Sequence, residues 1–64
     1  MREMVEVFAT YITSTDKAVL INDGGPENIW VPLSQLEDPP EDMDEGESYT
    51  FTMTEWLANQ KGLI

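Results

Sequence analysis

The segment 22–28, Asn-Asp-Gly-Gly-Pro-Glu-Asn, constrains the fold of this chain more than any other stretch. Its Asp-Gly and Gly-Gly steps allow positive φ angles at low steric cost, as tight turns require. Apolar runs flank it on both sides, over 18–21 and over 29–31. This pattern predicts a β-hairpin over residues 19–31, which Pro32 ends because proline cannot donate to a strand ladder.

Two further segments have strand patterns. Residues 4–13 are rich in β-branched and aromatic side chains and contain neither glycine nor proline, which favours an extended strand. Residues 48–53 alternate strictly, with Tyr49, Phe51 and Met53 on one face and hydroxyl side chains on the other. Such alternation is typical of a half-buried strand. We therefore predict one strand before the hairpin and one after it.

A short helix is predicted near the end of the sequence. Thr54 can cap it, with Glu55 in the first turn and Lys61 in the last turn, where their charges complement the helix dipole. Gly62 then stands just past the helix end, where glycine is favoured. A cap at Thr52, with Glu55 reciprocating three residues later, is the alternative and would shorten the preceding strand.

The hairpin strands are apolar on both faces. Val19 and Ile21 point one way, and Ala18 and Leu20 point the other. Strands of this kind occupy the centre of a curled or barrel-like sheet, or carry a helix on one face. We therefore predict a single domain over 1–64 of the α+β class: a small curled antiparallel β-sheet of three to four strands with one short C-terminal helix.

Four large apolar side chains complete the predicted core. Leu33 and Leu36 are three residues apart, which suits a single helical or 3₁₀ turn that buries both. We expect Trp30 and Trp56 to be core residues as well, with Trp56 covering the face of the hairpin on which Trp30 lies. Because tryptophan is enriched at binding hot spots, Trp30 is also the candidate apolar anchor of an interface.

The segment 37–47 carries most of the net charge. The chain has 13 acidic and 3 basic residues, a formal net charge of −10. Without the seven acidic residues of this segment, six acidic and three basic residues remain, which gives a net charge of −3. Pro39, Pro40 and Gly46 predict a loop there. The seven acidic residues are Glu37, Asp38, Glu41, Asp42, Asp44, Glu45 and Glu47.

The residue types that are missing argue against catalysis. The chain contains no cysteine and no histidine, which removes thiolate ligands, disulfides and the commonest general base. The segment 42–53 does not match a calcium loop, because Gly46 comes one place too early and Met53 stands where a bidentate glutamate is needed. We therefore predict that the protein is not an enzyme and holds no metal or cofactor.

The charge also limits the partners. Phosphates repel so acidic a chain, so we expect no nucleic acid partner and no anionic membrane partner. The longest apolar run, 18–21, is far shorter than the roughly 20 residues that span a bilayer, and segment 1–6 lacks the apolar region of a signal peptide. We expect a soluble intracellular monomer whose charged partner, if it has one, is basic.

The acidic loop has two interpretations. Clustered carboxylates can imitate the phosphate track of nucleic acid, since alternate residues on an extended chain lie about 6.7 Å apart on one side. The target would then be a basic groove, and association would depend on salt. Alternatively the loop is a solvating connector that keeps a small domain monomeric. The two interpretations differ in whether the loop is ordered.

Three stretches resemble a known group of proteins: 17–20, 29–37 with the Trp-x-Pro-x-Ser-Gln core inside it, and 55–58 together with 61–63. They are similar to small acidic proteins of phages and mobile elements, some of which look like type I anti-CRISPR proteins, type I-C among them. Relatives often carry a basic residue where this chain has Leu33. The resemblance implies inhibition in the cytoplasm of a bacterial host, by occupying a protein surface that receives DNA.

Charge and resemblance together predict a stoichiometric acidic DNA mimic that binds a basic subunit of a type I CRISPR surveillance complex (Cascade). The seven acidic residues of 37–47 and Trp30 would contact the partner. The alternative is a small structural or accessory module with an apolar interface centred on Trp30 or the terminal helix, in which acidity serves solubility alone. A regulator that sequesters another basic nucleic-acid-binding protein would share the first mechanism.

Overall fold

A computed structural model describes residues 3–64, which form a five-stranded antiparallel sheet and one α-helix. The elements are β1 (Met4–Ser14), β2 (Ala18–Asn22), β3 (Ile29–Pro32), a 3₁₀ turn (Leu33–Gln35), β4 (Leu36–Glu37), β5 (Ser48–Thr54) and α1 (Glu55–Gln60). This confirms the predicted α+β class, the hairpin and the C-terminal helix. The number of strands is one higher than the upper end of the prediction.

The order of the strands shows that the sheet is curled. The order is β3-β2-β1-β5-β4, so β3 and β4 lie at opposite edges. Only the 3₁₀ turn Leu33–Gln35 separates them along the chain. Three residues of 3₁₀ helix rise about 6 Å, whereas the edges of a flat five-stranded sheet lie about 19 Å apart. The sheet must therefore curl so that its two edges approach each other.

The additional strand is β4, which consists of two residues. Leu36 pairs with Met53 and Glu37 pairs with Thr52. The sequence pattern placed Leu36 in a helical turn and Glu37 at the start of the acidic loop, because a two-residue strand has no periodicity of its own. Leu36 is buried as predicted, whereas Leu33 is half-buried and packs against the core. The acidic loop therefore spans residues 38–47.

Strand β1 joins the two halves of the sheet. Its residues from Met4 to Thr10 pair with β5, and those from Thr10 to Ser14 pair with β2. The register shifts between Tyr11 and Thr13, where a β-bulge interrupts the ladder. Bulges bend and twist a strand, so one long strand can serve both halves of a curled sheet.

The core lies on the inner face of the curled sheet. Alternation along the strands places Val7, Ala9 and Tyr11 of β1 on this face, together with Phe51 and Met53 of β5. The assignment of Phe51 and Met53 to the buried face is therefore confirmed. The other buried apolar residues are Val19, Ile21, Val31, Leu36, Leu57, Ala58 and Leu63.

Helix α1 covers one end of this core. The Thr54 side chain accepts a hydrogen bond from the Leu57 N–H at 3.2 Å, which confirms Thr54 as the cap residue. Leu57 and Ala58 are the buried residues of the helix. Gly62 follows with a φ of 70°, and the Leu63 N–H donates to the Ala58 carbonyl at 2.8 Å. Gly62 therefore stands just past the helix end as predicted, whereas Lys61 is the C-cap residue and does not belong to the last turn.

Candidate functional site

The acidic loop, residues 38–47, ends in a turn that is bonded to the sheet. The Glu47 N–H donates to the Asp44 carbonyl at 3.1 Å, and Gly46 has a φ of 90°. Positive φ at the third residue alone is the pattern of a type II turn. The Gly46 N–H donates to the Tyr11 carbonyl, and the Tyr11 N–H donates to the Glu47 carbonyl, both at 2.8 Å. These bonds continue the pairing of β1 and β5 into the loop.

Side chains hold the loop at two further points. The Tyr49 hydroxyl accepts a hydrogen bond from the Asp44 N–H at 2.8 Å. Met43 is half-buried and packs against the core cluster. Pro39 and Pro40, which are also half-buried, restrict the backbone between these points and β4. The loop is therefore attached to the domain through both backbone and side-chain contacts. This attachment is what the interpretation of the loop as an ordered acidic surface requires.

Two aspartates shape the course of the loop. Asp38 and Asp42 have φ angles of 45° and 54°, in the left-handed region that aspartate and asparagine tolerate better than most other residues. Asp38 changes the chain direction directly after β4, and Asp42 does so directly before Met43 turns toward the core. These two residues therefore contribute to the loop conformation as well as to its charge.

An open cleft of about 510 Å³ lies between the loop and the sheet. Its lining includes Tyr11 and Ser14, whose hydroxyl groups are hydrogen-bonded to each other at 2.8 Å. Apolar lining comes from Leu33, Pro39, Pro40 and Met43. Three acidic residues complete the lining: Asp38, Glu41 and Asp42. The loop therefore folds back over the sheet and does not extend away from it.

The predicted carboxylates form an extended surface. All 13 acidic residues of the chain are exposed, including the seven of 37–47. Six of those seven lie on the loop, and Glu37 lies on β4. Within residues 3–64, no three acidic side chains are grouped in a way that could hold a metal ion. The arrangement presents negative charge over an area and suits a broad cationic partner.

The negative charge continues onto the outer face of the sheet. Glu37 of β4 pairs with Thr52 of β5, and Thr52 pairs with Glu6 of β1. Cross-strand partners project on the same face, so the two glutamates flank Thr52 on the side opposite the core. With adjacent strands about 4.8 Å apart, their backbones are roughly 10 Å from each other. Sequence reasoning missed Glu6, because its relation to Glu37 depends on strand pairing.

The prediction that both tryptophans lie in the core is wrong. Trp30 is 46% exposed on the outer face, where it pairs with Leu20. Trp56 is 65% exposed on helix α1. The inner face of the hairpin is already filled by fully buried Val19 and Val31, so the opposite face, with Trp30, is directed toward solvent.

Trp56 also cannot cover Trp30, because the two residues belong to opposite ends of the sheet. Trp30 pairs with Leu20, and Leu20 pairs with Thr13 of β1. Trp56 comes two residues after Thr54, which pairs with Met4. The nine residue-to-residue steps of β1 from Met4 to Thr13 span roughly 30 Å at about 3.3 Å per step. Each tryptophan is therefore a separate exposed apolar feature.

Phe8 is a third exposed aromatic residue, and the sequence pattern did not single it out. It is 69% exposed, although it lies between the buried residues Val7 and Ala9 on β1. Its cross-strand partner is Thr50. The strand alternation could have shown its direction once Val7 and Ala9 were assigned to the core. Phe8 thus shares the outer face with Glu6, two residues away.

No protein-family model matches the chain, and comparison with curated proteins and with solved structures finds no significant match. Among residues 3–64, no helix is both long and apolar enough to cross a membrane. Three features of the described residues bear on function: an attached acidic loop, carboxylates that continue onto the outer face, and three exposed aromatic side chains.

Proposed function

We propose that this protein is a stoichiometric inhibitor that acts as an acidic DNA mimic on a basic, DNA-receiving protein surface. The observation that carries the proposal is the attachment of the acidic loop by the ladder bonds at Tyr11 and by the Tyr49 hydroxyl. A segment that is already held in place loses less conformational entropy on binding than a free one. Six carboxylates of residues 38–47 are in this way preorganised for a partner.

The distribution of charge supports a basic partner. All 13 acidic residues are exposed, and the chain has only 3 basic residues. A net charge of −10 on 64 residues steers the protein toward a cationic groove and away from nucleic acid. Inhibition would follow from occupancy of the groove and would need no turnover.

The target that we propose is a subunit of a type I CRISPR surveillance complex (Cascade) in the cytoplasm of a bacterial host. This part of the proposal depends on the resemblance of 17–20, 29–37 and 55–58 with 61–63 to small acidic proteins of phages and mobile elements, some of which look like anti-CRISPR proteins. A different basic nucleic-acid-binding protein would be inhibited by the same mechanism. Monomeric protein and a one-to-one complex with the groove are expected in either case.

The test is a competition experiment with purified type I surveillance complexes and labelled target DNA. The protein should displace DNA, and its apparent affinity should fall steeply between about 50 and 200 mM salt. A loop variant with Glu41→Gln, Asp42→Asn, Asp44→Asn and Glu45→Gln should bind much more weakly. Asparagine also tolerates the positive φ at position 42, so the loop conformation is preserved.

The matched control neutralises four acidic residues away from the loop: Glu3→Gln, Asp16→Asn, Glu27→Gln and Glu55→Gln. Both variants lose four negative charges and carry a net charge of −6. Only the loop variant should lose most of its inhibition. Full inhibition by the loop variant would contradict the proposal, and equal loss in both variants would mean that total charge matters and the loop does not.

A second function is favoured by the exposed tryptophans. Trp30 is 46% exposed on the edge strand β3, and Trp56 is 65% exposed on the helix. A small structural or accessory module could use either one as the apolar anchor of an interface, with the acidity serving solubility. In that case Trp30→Ala or Trp56→Ala should abolish binding of the partner without unfolding the protein, and salt should have little effect on affinity.

A further inference from the structure

We propose that the outer face of β1 and β5, centred on Phe8, binds arginine side chains of the basic partner. The inference starts from the 69% exposure of Phe8, which is the most exposed of the large hydrophobic residues in the described chain. A phenylalanine exposed in the middle of a strand contributes little to the core and leaves most of its ring surface open to solvent. This inference deepens the proposed function and rests on it for the basic character of the partner.

The surroundings of Phe8 are polar. Its cross-strand partner is Thr50, and its neighbours on the same strand face are Glu6 and Thr10. The Thr10 hydroxyl is hydrogen-bonded to the Ser48 hydroxyl at 3.1 Å. The ring is therefore surrounded by hydroxyl groups and a carboxylate, which can accept hydrogen bonds from a cation that stacks on the ring.

Glu6 and Glu37 complete the electrostatics of this face. They flank Thr52 on neighbouring strands. Glu6 and Thr52 form the next cross-strand pair on the same face, two residues along each strand from the pair formed by Phe8 and Thr50. Carboxylates bind guanidinium groups through two parallel hydrogen bonds, and aromatic rings attract cations, arginine more often than lysine. The combination of ring, hydroxyls and carboxylates is complementary to arginine in particular.

The charge of this face argues against the other occupants. An aromatic residue on an open sheet face could stack a base of single-stranded nucleic acid, but such sites lie in positively charged grooves. Here Glu6 and Glu37 would repel the phosphates. A second copy of the chain is disfavoured as well, because two such faces would bring like charges together and each copy carries −10. A cationic protein surface remains as the complementary partner.

The probes for this site are an arginine nonapeptide and a lysine nonapeptide, titrated into the isotopically labelled full chain and followed by nuclear magnetic resonance. The arginine peptide should shift the backbone amide signals of Glu6, Phe8, Thr50 and Thr52. Phe8→Leu keeps an apolar side chain but removes the ring, and it should weaken arginine-peptide binding by about two- to fivefold and lysine-peptide binding by less. Phe8→Tyr should restore binding.

Trp30→Leu is the matched control, because it removes an exposed aromatic ring whose cross-strand partner is the apolar Leu20. It should weaken arginine-peptide binding less than Phe8→Leu does, because Leu20 supplies no carboxylate or hydroxyl beside the Trp30 ring. The inference is overturned if Phe8→Leu binds the arginine peptide as tightly as the parent protein, or if the signal shifts are confined to residues 38–47.

The proposed function and this inference can fail independently. If the loop variant loses DNA competition but Phe8→Leu competes and binds the arginine peptide like the parent protein, the function stands and the inference falls. If arginine-peptide binding requires Phe8 but the protein displaces DNA from no basic complex, the arginine site stands and the inhibitory function falls.

Discussion

The hydroxyl of Tyr49 accepts a hydrogen bond from the backbone N–H of Asp44 at 2.8 Å. This contact joins the strand β5 to the most acidic part of the chain across five residues. The Tyr49 side chain is half-buried beside the core. Its hydroxyl therefore helps to hold the loop in one conformation. The acidic surface is therefore coupled to the folded sheet, and its geometry can be tested by single substitutions.

Tyr49→Phe removes only the hydroxyl of this contact. We expect faster amide hydrogen exchange at Asp44, Gly46 and Glu47, and a loss of about 0.5–1.5 kcal/mol in the free energy of unfolding. Tyr11→Phe is the matched control, since the Tyr11 hydroxyl bonds to Ser14 and not to the loop. Unchanged exchange at the three loop amides in Tyr49→Phe would show that the hydroxyl does not order the loop.

Gly46→Ala tests the turn at the end of the loop. A Cβ at Gly46 would meet no heavy atom within 4 Å, so the cost comes from the φ of 90° alone. We expect a destabilisation of about 1–2 kcal/mol, measured by urea denaturation, and weaker inhibition. Gly24→Ala has a φ of 102° and equally open space, so it should destabilise similarly without affecting inhibition. Equal effects of both variants on inhibition would contradict this assignment.

Thr54→Ala tests the cap of helix α1. Loss of the hydrogen bond from the Leu57 N–H should lower the free energy of unfolding by about 1 kcal/mol. Thr52→Ala, at the position of the alternative cap, should cost less because Thr52 lies within β5 and caps no helix. The measurement is thermal or urea denaturation of both variants, and a larger loss for Thr52→Ala would argue against the cap at Thr54.

The exposed position of Trp30 predicts a small effect on stability. Trp30→Ala should cost about 1 kcal/mol or less, because the side chain is 46% exposed on the outer face of the sheet and lies outside the core cluster. Phe51→Ala removes a fully buried ring from the same sheet and should cost about 3–5 kcal/mol. Comparable losses in urea denaturation would mean that Trp30 contributes to the core after all.

Much of the fold follows from local patterns. The Asp-Gly-Gly turn, the alternation of 48–53 and the cap at Thr54 are each encoded in a few neighbouring residues, and all three agree with the structure. Local turn chemistry and side-chain alternation act over short separations, so a single sequence is enough to recognise them. The identity of the acidic segment could be predicted in the same way, apart from Glu37, which belongs to β4.

The directions of the aromatic side chains and the order of the acidic loop depend on contacts between distant residues. Trp30 points outward because Val19 and Val31 fill the inner face of the hairpin. Trp56 follows the strand end that pairs with Met4, at the opposite end of β1, and so cannot cover Trp30. The loop is held by Tyr11, which lies 35 and 36 positions before its hydrogen-bond partners Gly46 and Glu47. Charge, turns and strand alternation are properties of the chain itself. Strand pairing decides which face of the sheet is covered and which carboxylates become neighbours, because each pairing joins residues that no local pattern relates.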